Sequence, residues 1–235
     1  MALLGIGLLL VVVGFSLLAT LLTSAAISLH DRIVPVHPWK PLPRLAPLVA
    51  VFTLDGAFIA AGWYRARSTG RGDWRAGAGF MPIRRRGLLA GLAAVILTTP
   101  FLWGALLSPL LKEVKVPELL HTISQARDAP LAYIATASMV AILAPIAEEL
   151  FFRGWLWTGL RRHWAPLPTA LATALPWVLL HSADGMLRPL FLLPAAVILS
   201  VARHKCASVR ASIFLHMANN TFAMLLATLI GLYAE

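Results

Sequence analysis

Three short groups of residues carry the chemistry this chain can offer. Glu148, Glu149 and Arg153 lie within Ala-Pro-Ile-Ala-Glu-Glu-Leu-Phe-Phe-Arg-Gly-Trp (144–155); Trp177 and His181 are four apart, as are His216 and Asn220. Each group falls in an apolar segment, where an ionisable side chain costs about 2.5–3.5 kcal/mol at the centre of a membrane helix. Glu149 and Arg153 share a helical face and are expected to pair. Glu148, about 100° around the helix, has no such basic neighbour and stays available. A carboxylate held this way can serve as a general base, taking a proton from a water that attacks an amide carbonyl. His181 and His216 could orient that water, and the side-chain amide of Asn220 suits a developing oxyanion. A second chemistry stays open, because Glu148, His181 and His216 also make a three-ligand zinc set drawn from separate helices. The local zinc signature, H-E-x-x-H, is absent. No Ser-His-Asp arrangement competes, and the single cysteine, Cys206, lies beside a basic loop.

Two further residues bear on this site. Pro145, one turn before the glutamates, removes a backbone donor and is expected to kink or open the helix. Asp55, alone within an earlier apolar stretch, is expected to play a structural part, pairing with Arg153 or capping a helix break.

The elements that must position these groups are membrane helices. Of 235 residues, 59% are hydrophobic and 13% charged, against about 45–50% and about 25% in a soluble domain. That excludes a water-soluble globule, a disordered chain and a secreted disulfide scaffold. It also turns the net charge of +10 from a nucleic-acid signal into a question of sidedness. Seven apolar stretches, 2–29, 45–64, 88–111, 131–158, 167–181, 189–202 and 211–234, predict an all-α, polytopic transmembrane bundle of about seven segments. Crossing the hydrocarbon takes about 20 helical residues. The fifth and sixth stretches are shorter and are expected to be tilted, broken or re-entrant. The first lacks a basic n-region and exceeds a signal peptide's apolar run, so it reads as a retained helix.

Loops 65–86, 159–166 and 203–210 hold twelve Lys and Arg, against seven in the alternating set. The positive-inside rule therefore places them, with the N-terminus, in the cytoplasm. Gly70, Gly72, Gly77 and Gly79 mark 65–86 as an irregular connector. The organisation expected is two N-terminal transmembrane helices over 1–64, a basic cytoplasmic loop over 65–86, and a core over 87–235. His181 lies at the far end of its short stretch from Glu148 and His216, so the three converge only if that helix departs from a straight span.

Glu-Glu-x-x-x-Arg at 148–153, aromatic-x-x-x-His at 177–181 and His-x-x-x-Asn at 216–220 resemble the three motifs of the CPBP family of intramembrane proteases, which includes the CAAX prenyl endopeptidase. The resemblance spans roughly 87–235 and is strongest over 144–222. It implies an endopeptidase in which Glu148 activates water, Glu149 and Arg153 support it, His181 and His216 bind or polarise the water, and Asn220 helps stabilise the oxyanion. Trp177 stands where the family's second motif begins with Phe, which bears on substrate fit. Family members are often labelled metalloproteases; the CAAX enzyme implies a glutamate mechanism with no cofactor, and zinc on Glu148, His181 and His216 is the alternative. The expected partners are a membrane-anchored protein or peptide substrate and the bilayer, with no nucleic acid. The Arg-, Ala-, Leu- and Pro-rich composition points to a bacterial cytoplasmic (inner) membrane. Rival readings are a non-catalytic immunity or scaffold protein that binds a hydrophobic peptide, and a proton-coupled transporter.

Overall fold

The computed structural model describes residues 42–111, 130–184 and 187–233. Helices cover most of these residues, and no strand occurs among them. The helices are α1 (Leu42–Thr69), α2 (Trp74–Ala78), α3 (Arg86–Leu111), α4 (130–160), α5 (Pro166–Leu180), α6 (Arg188–Lys205) and α7 (Val209–Tyr233). Six of them follow apolar stretches of the sequence, with ends shifted by up to five residues. The first stretch, 2–29, lies outside the described residues. Among the described residues, two segments are long and apolar enough to cross a membrane by length and composition, Arg86–Leu107 and Tyr133–Leu160, while Pro166–Leu180 is apolar but shorter.

Local chemistry accounts for the helix ends. Asp73 caps α2 by accepting the Arg75 N–H at 2.9 Å, and Gly79 closes it in the left-handed conformation at φ 63°. Pro166 opens α5, where a missing N–H is harmless. Ser208 accepts the Arg210 N–H at the start of α7. The connector after α1 is thus partly ordered by a capped helix, which its glycines alone did not reveal. Gly77 has its own reason: a Cβ there would come within 1.8 Å of the Ala66 carbonyl oxygen, so only glycine lets α2 fold back on α1.

Helix α4 runs through the middle of the bundle and widens to a π turn twice. It is α-helical over Pro130–Ser138, π-helical over Met139–Leu143, α-helical over Ala144–Glu149, π-helical over Leu150–Leu156 and α-helical again over Trp157–Leu160. The first π turn ends at Leu143, two residues before Pro145, so the wider winding absorbs the donor that proline lacks. α1 packs along α4, with Phe58 against Phe151 at 4.7 Å and Phe152 at 5.5 Å between ring centres. α7 crosses α4 and α3, and α6 lies against α3, α5 and α7. At one end of the bundle the chain forms a clasp. Val209 N–H donates to Gly79 O at 3.0 Å, Arg84 N–H to Cys206 O at 3.0 Å, and the Ser208 hydroxyl to Met81 O.

Candidate active site

The short α-helical piece Ala144–Glu149 carries both glutamates, and the winding on either side decides where they point. Glu149 is fully buried. Its Oε1 accepts from Arg153 NH1 at 2.9 Å and from His216 Nδ1 at 3.1 Å. The expected i,i+4 ion pair is therefore present, with His216 of α7 as an added partner from another helix. Arg153 is fully buried as well, and its guanidinium carbon sits 4.6 Å from the centre of the Trp177 ring.

Glu148 is only half-buried, and its Oε2 accepts the indole N–H of Trp177. Trp177, 2% exposed, is the hub that joins the three groups. Its ring lies 5.1 Å from His181 and 5.4 Å from His216, and its N–H meets Glu148. α5 ends at Leu180, and His181 begins a 3-10 turn. The His181 Nδ1 bonds the Trp177 carbonyl oxygen at 2.9 Å. A carbonyl only accepts, so Nδ1 carries the hydrogen and Nε2 is left as an acceptor; Glu149 imposes the same tautomer on neutral His216.

The Asn220 side chain donates to Val140 O at 2.9 Å and accepts from Asn219 at 3.3 Å. One of its two amide hydrogens is thereby committed to the backbone of α4. Asp55 departs from expectation. α1 runs unbroken through it, and Arg153 spends NH1 on Glu149 while its Nε and NH2 have no hydrogen-bond partner. Asp55 therefore neither pairs with Arg153 nor caps a break. It is 1% exposed, its Oδ2 is without a hydrogen-bond partner, and it lies within electrostatic reach of Glu148. A zinc set finds no support in side-chain placement. Among the described residues no three His, Cys, Asp or Glu are grouped to hold a metal ion. Glu148 faces Trp177, His216 faces Glu149, and His181 is tied to its own helix.

Sequence reasoning missed Arg203. It was expected in a surface loop that fixes topology, yet it lies in the last turn of α6, 8% exposed, with its Nε donating to Arg153 O at 2.7 Å. Its place among other basic residues near a span end hid it.

Residues 130–222 match the type II CAAX prenyl endopeptidase Rce1-like family, and this stretch holds Glu148, Glu149, Arg153, Trp177, His181, His216 and Asn220. Comparison with curated proteins and with solved structures gives no match. The family likeness supports the CPBP/CAAX resemblance of the motifs and indicates a protease; together with the apolar helices it indicates a membrane protein.

Proposed function

We propose that this chain, Rce1-like over 130–222, is a multi-pass intramembrane endopeptidase. It hydrolyses a peptide bond near the C-terminus of a membrane-tethered protein, as in CAAX-type or sorting-tail processing. The observation that carries the reading is the contrast between adjacent carboxylates: Glu149 is consumed by a buried cation and a histidine, while half-buried Glu148 keeps one oxygen outside its bond to Trp177. Glu148 takes a proton from water as the water oxygen bonds the scissile carbonyl carbon. The acceptor nitrogens of His181 and His216 orient the water's hydrogens, and the second amide hydrogen of Asn220 is available to the oxyanion. Glu148 then returns the proton to the departing nitrogen as the C–N bond breaks, which restores the carboxylate. Every step runs on the chain's own groups. The basic segments 65–86, 159–166 and 203–210 face the cytoplasm of a bacterium in this reading, and 87–235 forms the protease core, with helices from 1–64 added to it.

The test compares the C-termini of membrane proteins from cells carrying wild type or Glu148→Gln at matched expression. Uncleaved tails that appear only in the variant establish the protease and reveal its substrate. Identical termini, with the variant folded and its phenotype intact, transfer the site to a non-catalytic peptide-binding protein.

A further inference from the structure

The two π turns of α4 bracket the glutamates, and each leaves a backbone carbonyl passed over by its usual donor. At the first, Ala144 N–H bonds Met139 O rather than Val140 O, four residues back. At the second, Trp157 N–H bonds Phe152 O and Gly154 O and skips Arg153 O. Wider winding produces this shift, and a buried carbonyl so released needs another donor. A side chain from a different helix supplies it in both cases: Asn220 of α7 donates to Val140 O at 2.9 Å, and Arg203 of α6 donates to Arg153 O at 2.7 Å.

We propose that Arg203 is a positioning residue of the active site, a side-chain clamp that holds the second π turn and thereby fixes where Glu148, Glu149 and Arg153 point. The assignment rests on the protease reading above for its effect on catalysis, but not for its effect on the helix. Arg203 has its NH2 3.2 Å from the Thr158 hydroxyl and its guanidinium carbon 5.9 Å from the Trp157 ring centre, so it holds the π turn at the Arg153 carbonyl and the α turn that follows it at two further places. No carboxylate pairs with it among the described residues. A buried cation without a counter-charge is unfavourable for stability, and burial pushes this guanidinium down to about 10, still cationic at neutral pH. The molecule also makes room for it. A Cβ on Gly79 would lie 2.2 Å from Arg203 NH2. Glycine at 79 thus serves both the left-handed turn and the entry of the arginine.

The experiment uses the full chain in lipid nanodiscs and a fluorogenic peptide ending in a farnesylated Cys-aliphatic-aliphatic-X tail. Arg203→Met keeps the bulk of the side chain and removes the donors and charge. We expect kcat to fall about 10- to 100-fold, the worth of one charge-assisted hydrogen bond, with KM and melting temperature held. Amide hydrogen exchange should accelerate over 150–158 and nowhere else. Gly79→Ala should reproduce both effects, and the double variant should show less than the sum of the two. Wild-type kcat in Arg203→Met, unchanged exchange over 150–158, or a loss of kcat that follows a lowered melting temperature would overturn the proposal. Should even wild type leave the peptide intact, the protease reading fails for that substrate; the exchange measurement then decides the clamp alone, faster upholding it and unchanged overturning it.

Discussion

Glu148 and Glu149 are neighbours on one helix, and the two sides of that helix differ in what they ask of a carboxylate. On the Glu149 side the group is sealed among Arg153 and His216, with 0% exposure. On the Glu148 side the group is half-buried and faces a single indole donor. The first arrangement neutralises a charge inside an apolar bundle; the second orients a charge and leaves it usable. One step along the chain, about 100° of rotation, separates a sealed carboxylate from an accessible one.

That contrast can be broken from either side. Glu148→Gln removes the proposed base and should lower turnover by about 10²- to 10⁴-fold, with the melting temperature unchanged in a detergent thermal shift. Glu149→Ala leaves Arg153 buried and unpaired and should destabilise the fold by about 3–5 kcal/mol. A denaturation series would read it, and a stable but inactive variant would reverse the roles of the two residues. Trp177→Phe keeps the aromatic wall and deletes the donor to Glu148. It should reduce kcat by about 10-fold or more, since a hydrogen bond to a charged group is worth about 1.5–3 kcal/mol. Asp55→Asn should have the smallest effect, within about 1 kcal/mol in stability, because Asp55 makes no ion pair with Arg153. A collapse as large as that of Glu149→Ala would place an unrecognised cation against Asp55.

The legible parts of the fold and site were those governed by local periodicity. Apolar runs marked six of the described helices because burial and lipid exposure both demand unbroken hydrophobic stretches. The Glu149–Arg153 pair followed from i,i+4 spacing. What spacing cannot carry is contact between distant segments. The Trp177 donor to Glu148 spans 29 positions, and Arg203 reaches Arg153 across 50. Pro145 signalled an opening of the helix beside the first π turn; the second π turn escaped, because no residue there marks a shift of one carbonyl. Asp55 was assigned a partner by charge alone, and geometry gave that partner to Glu149.

The clasp at the basic end of the bundle has a practical consequence. Cys206 is the chain's single cysteine, its side chain is fully buried, and its carbonyl holds Arg84 across the clasp. Burial also pushes the thiol pKa up, so the reactive thiolate is scarce while the clasp stays shut. Alkylation by a small maleimide therefore works as a clock for separation of segments 79–84 and 206–209. The unmodified protein carries its own reporter of how often that end of the bundle opens, and a substrate or lipid that slows labelling would reveal itself without any engineered probe.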